Sequence, residues 1–295
     1  MKRFFKDKKK LMLCMLMMVF FITACKSVVG SDGKVLPEYI IGLDTTWGTS
    51  FNEGWFTGLF IWPITQLINF IGKYTDAGIA IIVVTFLINA LIGVFSLKSQ
   101  IAQQKLQMIQ PEMNKIMKKY EGRTDDRAKM QQAQEMQALY AKYEVNPFGS
   151  ILTLFIQLPV LLAVYQAVQR AEVVINGSFF GIDLTQTPLA GMKTLDIAVI
   201  VIFVLMVVMQ LLSMKFPMWM AEWKQKHSGK KIKKYAQENQ ANPMGGSMQM
   251  MTYVSTAMIA FLSLNWPLGM TFYWLVSSIA RILQNVIITV FFIKD

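Results

Sequence analysis

Histidine is nearly absent and cysteine is scarce. His227 is the single imidazole, and Cys14 and Cys25 are the only thiols. Metal centres and thiol chemistry therefore have almost no raw material. Charge is thin as well: 16% of residues are charged, against 54% hydrophobic. That balance, with several apolar runs of span length, excludes an ordinary water-soluble domain and predicts an integral membrane protein. The formal net charge is +11. Basic and aromatic residues are not interleaved on one surface, however, so DNA is not expected as a partner. The basic residues gather in particular loops, as topology selection produces. No nucleophile stands near a base, and there is no Walker-type loop and no metal-ligand spacing, so no enzyme is expected.

Residues 1–24 predict a signal peptide. Lys2, Arg3, Lys6, Lys8, Lys9 and Lys10 form a basic head, and Leu11 to Phe21 an apolar stretch too short for an ordinary span. Ile22-Thr23-Ala24-Cys25 follows and resembles a bacterial lipobox. That resemblance implies cleavage before Cys25 and lipidation of its thiol, so no disulfide would remain. Residues 25–54 are then an extracytoplasmic lipidated segment. Residues 55–76 are aromatic and amphipathic, with Trp55, Phe56, Phe60, Ile64, Leu67, Ile68 and Ile71 at helical spacing. They predict an interfacial helix lying flat. Pro63, Gln66 and Asn69 weigh against an extra span there.

Residues 78–97 are the first transmembrane segment, TM1. Twenty residues match a hydrocarbon core of roughly 30 Å. Thr85, Asn89, Gly93 and Ser96 form one polar, small-residue stripe along it. Such a stripe serves either helix packing or a functional groove. TM2 is 149–168, with Gln157 in mid-span and Pro159 as a kink. TM3 is 195–214 and carries Gln210. A basic loop, 215–249, follows. TM4 is 250–264 and TM5 is 270–293, separated by the turn Asn265-Trp266-Pro267-Leu268-Gly269. In TM5, Trp274, Ser277, Ser278, Arg281, Gln284 and Asn285 fall on one face. Inverted repeats are not visible.

Residues 98–146 predict a helical hairpin. Ile109, Met113, Ile116 and Tyr120 form one apolar seam; Met130, Ala133, Met136, Tyr140 and Tyr143 form the other. Gly122 can end the first helix, Thr124 can cap the second, and Pro111 fits a helix restart. The loops 98–146 and 215–249 carry nine and seven basic residues against six and two acidic ones. Residues 26–77 and 170–194 are acidic and neutral in balance. The positive-inside rule then places the N-terminus outside, the two basic loops and the C-terminus inside.

The run Gln104 to Ile116, followed by Lys119-Tyr120, resembles the cytoplasmic hairpin of YidC-type membrane protein insertases. Asn146-Pro147-Phe148-Gly149 leading into Phe155-Ile156-Gln157-Leu158-Pro159-Val160 is similar to that family's second span, and Phe272-Tyr273-Trp274 to its last. The resemblance covers roughly Trp55 to the C-terminus. It implies an all-α membrane protein with five transmembrane helices around a hydrophilic groove, in the lipoprotein form without a large extracytoplasmic domain. It implies an insertase and folding chaperone of the bacterial plasma membrane, without cofactor or nucleotide. Nascent membrane-protein clients and membrane lipids would be its partners, with the ribosome and the Sec translocon as candidates. Groove residues would be Thr85, Asn89, Gln157, Gln210, Trp274 and Arg281. Hairpin residues would be Lys105, Gln110, Pro111, Glu112, Lys115 and Tyr120. One departure stands out. The family's first span typically carries an arginine in the groove, and Asn89 occupies that position. Arg281, two turns from Trp274 on the same face, is the candidate replacement; snorkelling to the inner headgroups is its other reading. A non-inserting assembly factor and a small-solute transporter remain as alternative functions.

Overall fold

The computed structural model describes residues 28–30, 34–123, 125–145, 149–227 and 243–292, with the backbone alone for 149–156, 221–222, 224–227, 243–249 and 251–252. The expected signal peptide, Cys25, Thr124 and the centre of the loop 215–249 lie outside the described residues. Regular structure among the described residues is helical, apart from isolated bridges. The helices are α1 Trp47–Glu53, α2 Trp62–Gly72, α3 Ala77–Met108, α4 Gln110–Lys119, α5 Asp126–Lys142, α6 Gly149–Arg170, α7 Glu172–Asn176, α8 Pro188–Lys193, α9 Ile197–His227, α10 Pro243–Asn265 and α11 Leu268–Phe291. Helices α3, α6, α9, α10 and α11 stand where the spans are expected. Among the described residues, Ala77–Met108, Ile197–Met220 and Leu268–Phe291 are long and apolar enough to cross a membrane.

Several boundaries differ from the sequence reading. Helix α3 has 32 residues, so at 1.5 Å per residue it is about 48 Å long, well beyond the bilayer core. Residues 98–108, expected in the hairpin, continue this helix, because Lys98, Gln100, Gln103 and Lys105 are good helix formers that lose nothing by leaving lipid. Helix α9 likewise runs on to His227. The expected flat helix over 55–76 is interrupted. Thr57–Ile61 is a π-helical turn, with the Trp62 N–H reaching back to Thr57 O. Pro63, at the start of α2, has no N–H for Leu59 O, and the turn before it widens.

The described chain forms two compact units. One comprises 1–84 with 155–185, the other 85–154 with 186–295. In the first, the loop 39–45 is bound by side chains of α2. Trp62 Nε1 donates to Thr45 O at 2.8 Å, Gln66 Nε2 to Gly42 O at 2.8 Å, and Asn69 Nδ2 to Ile41 O at 2.6 Å. Asn69 Oδ1 also accepts from Val173 N at 3.1 Å, which ties α2 to α7. Asp76 caps α3 by accepting from Gly78 N at 2.9 Å. Gly78 must lack a Cβ, since the Phe179 ring occupies that space.

In the second unit α9 and α11 pair most extensively, and α10 packs on both. Leu268 N donates to Gln186 O at 2.8 Å, and Asp196 caps α9 by accepting from Ala198 N at 3.1 Å.

The hairpin α4/α5 is closed by two matching clamps. Each helix ends in Lys-Tyr-Glu: Lys119-Tyr120-Glu121 and Lys142-Tyr143-Glu144. Lys119 Nζ and Tyr120 Oη donate to Glu135 Oε1 at 2.5 and 2.8 Å. Lys142 Nζ reaches Glu112 Oε2 at 3.5 Å, and Tyr143 Oη donates to Glu112 Oε1. The cap of α5 is Asp125, which accepts from Ala128 N at 2.9 Å. The second apolar seam is rotated from the expected one. Met130 and Ala133 are exposed, whereas Ala128 and Leu139 are buried. Glu135 has to face Lys119 and Tyr120, and that fixes the rotation of α5. Lys105 lies in the last turn of α3; Gln110, Pro111, Glu112 and Lys115 lie on α4, and Tyr120 caps its end.

Candidate functional site

Apolar helices that cross lipid have no water for stray polar groups, so each polar side chain must find a protein partner or a wet surface. In the second unit the polar side chains find one another. Asn89 is buried; its Nδ2 donates to Thr85 O at 2.8 Å and to Ser277 Oγ at 3.1 Å. Gln284 Nε2 donates to Asn89 O at 2.6 Å. Gly93 leaves room for that approach: a Cβ there would stand 3.1 Å from the Gln284 amide nitrogen, which would have to shift slightly. Further along, Gln104 Nε2 donates to Asn285 Oδ1 at 2.9 Å, and Thr289 Oγ1 donates to Gln104 Oε1 at 3.0 Å. These contacts make one polar seam between α3 and α11.

The other face of α11 meets α9. Gln210 Oε1 accepts from Ser278 Oγ at 2.8 Å and from Arg281 Nη2 at 2.7 Å. Arg281 Nη2 also donates to Ser278 Oγ at 2.8 Å. The arginine is thus turned towards α9, onto neutral acceptors, and no ion pair forms with it among the described residues. Trp274 is buried and stacks on Trp266, ring centres 5.3 Å apart.

Thr85, Asn89, Gln210, Trp274 and Arg281 therefore all lie in one unit, with Asn89 joined to Ser277 and Arg281 to Gln210 and Ser278. Gln157 is half-buried on α6 and belongs to the other unit. The sequence reading placed Gln104 in the hairpin. Its signal was there: Ser96, Gln100 and Gln104 extend the stripe at four-residue spacing, and Gln100 Nε2 donates to Ser96 Oγ at 2.7 Å.

Arg170 was also missed. It ends α6 with its side chain 1% exposed, and Nη2 donates to Glu53 Oε2 at 2.5 Å. Nε donates to Tyr39 O at 2.7 Å, and the guanidinium lies 5.8 Å from the Tyr39 ring centre. Ile41 and Ala171 pair alongside as a parallel bridge. A basic residue on the side that the positive-inside rule leaves poor in charge was the available signal.

Outside the membrane segments, the Glu135 carboxyl is held below the ordinary carboxylate range, first by the hydrogen bond from Lys119, then by that from Tyr120. The same bonds to Glu135 raise Lys119 and Tyr120.

Long apolar helices joined by buried amides, with the Arg281 guanidinium on neutral acceptors among the described residues, define a polytopic helical membrane protein with a polar interior surface. Residues 67–295 match the family model described as 60Kd inner membrane protein. The chain is 30% identical over 230 residues to the membrane protein insertase MisCA of Bacillus subtilis, spanning 77% of this chain and 77% of that relative. It is 31% identical over 234 residues to the membrane protein insertase YidC 1 of Streptococcus pyogenes serotype M6, spanning 79% of this chain and 73% of that one. Against the YidC insertase of Geobacter sulfurreducens it is 28% identical over 237 residues, 80% of this chain but 38% of the longer relative. The chain belongs to the 60Kd inner membrane protein family, that of the YidC-type membrane protein insertases.

Proposed function

We propose that the protein inserts client transmembrane segments into the bacterial plasma membrane and helps them fold, alone or beside the Sec translocon and the ribosome, without hydrolysing a nucleotide. In this reading Cys25 carries the lipid, the N-terminus lies outside, five helices span the bilayer and the C-terminus is inside. A polar surface within lipid shortens the apolar distance that a client's polar segment must cross. Burial of the client's apolar helix in lipid then drives its release.

The observation that carries the reading is the intramembrane guanidinium of Arg281, held by Gln210 and Ser278 without a carboxylate. Neutral acceptors orient the group and leave its charge uncancelled, so it can attract an acidic client segment. Asn89 is spent on Thr85 O and Ser277, which makes it a packing amide here and leaves Arg281 as the groove's positive charge. Insertion of a client with an acidic extracellular tail tests this. Arg281→Ala is expected to slow it strongly, with Arg281→Lys in between and Asn89→Ala close to the parent. Insertion by Arg281→Ala at the parental rate would sink the assignment.

The engagement of Asn89 with Ser277 also favours a second reading, a non-inserting assembly factor for membrane complexes. Complementation of an insertase-depleted cell separates the two: growth supports the insertase, and its absence with a folded protein supports the assembly factor.

A further inference from the structure

Helix α9 presents one exposed face along its whole apolar length. Val201, Val204, Leu205 and Val208 lie on it and are exposed. Steps of three and four residues lead from Val208 through Leu212 to Lys215, Trp219 and Trp223, so these share the face. Trp219 and Trp223 are 49% and 53% exposed. The part of α9 that is apolar enough to cross a membrane ends at Met220. The two indoles therefore straddle that end, about 6 Å apart along the axis. Lipid covers the valine face of such a helix, and its headgroups then meet the rings and the lysine.

Packing against α10, in the same unit, fixes the lysine. Met214 Sδ accepts from Ser255 Oγ at 3.7 Å and from Thr256 Oγ1 at 3.5 Å. That register sets the next residue, Lys215, beside Tyr253, which is 49% exposed. Lys215 Nζ donates to Tyr253 Oη at 2.7 Å and lies 4.9 Å from the ring centre. No carboxylate pairs with Lys215 among the described residues. Because Tyr253 accepts in that bond, its hydroxyl keeps its own proton, and the ammonium keeps two more N–H groups. A cation and three donors thus converge at headgroup level. Phosphate oxygens accept such charge-assisted bonds. A choline group would set a second cation beside Lys215, so a headgroup of net negative charge is selected. The loop that starts here, 215–249, carries seven basic residues against two acidic ones and adds to the same field.

We infer that Lys215 and Tyr253, flanked by Trp219 and Trp223, form a binding site for the headgroup of an anionic phospholipid. The site stands apart from the insertase reading, because no client takes part. In the topology proposed above this end of α9 meets the inner leaflet, but headgroup binding does not depend on that topology.

Native mass spectrometry of the full chain in detergent tests this, with phosphatidylglycerol or phosphatidylcholine added stepwise. The first phosphatidylglycerol is expected to bind about fivefold more tightly than a statistical ladder of adducts allows, the weight of one lysine beside an anionic surface. Phosphatidylcholine should give the statistical ladder alone. Lys215→Gln should abolish the tight first step, and so should Trp219→Leu with Trp223→Leu, which leaves the charge unchanged. Lys98→Gln, which removes an exposed lysine from α3, should keep it. Thermal unfolding of each variant in the same detergent checks that it is folded. A statistical ladder in the parent would overturn the inference, as would a tight step that survives in the Lys215 or tryptophan variants. Equal loss in Lys98→Gln would reduce the step to net charge and also overturn it. Displacement of the lipid by inorganic phosphate would assign the donors to a free anion, and a dimer lost in the same variants would assign the face to a second copy; either result rules out the lipid site.

Discussion

Arg170 and Arg281 each close a buried contact, and they do so in opposite ways. Arg170 meets a carboxylate, a carbonyl and an aromatic ring, and its charge is cancelled by Glu53. Arg281 meets only Gln210 and Ser278, both neutral. A cancelled charge holds chain segments together; here it pins the stretch 39–53 to the end of α6. An uncancelled charge inside apolar helices is costly to keep, and such groups mark functional surfaces. The two arginines thus separate a cancelled charge from an uncancelled one, although both look alike in the sequence.

The largest effect should come from breaking the cancelled pair. Glu53→Gln leaves a buried arginine unpaired, which costs about 3–5 kcal/mol. Thermal unfolding of the full chain in detergent should show the corresponding fall in Tm. Replacing both groups, Arg170→Met with Glu53→Met, should recover most of it; an equally unstable double variant would mean that the Tyr39 contact, not charge cancellation, dominates. Smaller effects are expected along the α3–α11 seam. A double-mutant cycle of Asn89→Ala and Ser277→Ala should give a coupling of about 0.6 kcal/mol, the mean for hydrogen bonds between membrane helices, and no more than about 1.7 kcal/mol. A coupling near zero would assign Asn89 to the groove and away from packing.

The smallest effects belong to the hairpin, whose clamps are exposed to solvent. Glu135→Gln should loosen α4 from α5 without unfolding either, read as a broader distance distribution between spin labels at Lys118→Cys and Met130→Cys. Acid should do the same to the parent. Because the folded pKa of Glu135 is depressed, its contribution is complete above the unfolded value and is lost as pH falls through the folded one, on the acid side of the ordinary carboxylate range. Lys119 and Tyr120 are raised, so their contributions fade only as pH climbs through their folded values, on the alkaline side of the ordinary lysine and tyrosine ranges. Between those limits the distance distribution should not change.

The sequence made some of this legible and hid the rest for physical reasons. Apolar runs and loop charges sufficed to locate the long helices, because lipid imposes both. The stripes Thr85–Asn89–Gly93 and Ser277–Arg281–Gln284 were legible because a helix repeats its faces. Their pairing was not: nothing local says that Asn89 meets Ser277 while Gln210 meets Arg281. Helix ends were hidden where the chain leaves lipid as a helix, as at residues 98–108, since hydropathy falls while helix propensity does not. The rotation of α5 was hidden because Met130 looks like a core residue until Glu135 is matched to Lys119. Arg170 was hidden because a charge beside an apolar run reads as a loop residue unless its distant carboxylate, Glu53, is known.

The seam between α3 and α11 has a mechanical consequence. Its contacts at Asn89, Gln284 and Gln104 are rungs spread over fifteen residues, or about 22 Å of helix. A rung of about 0.6 kcal/mol is close to thermal energy at room temperature. Such a seam parts one rung at a time, like a zip, and closes again without a high barrier. The Arg170–Glu53 pair is the contrary device: a single bolt, drawn entirely or not at all.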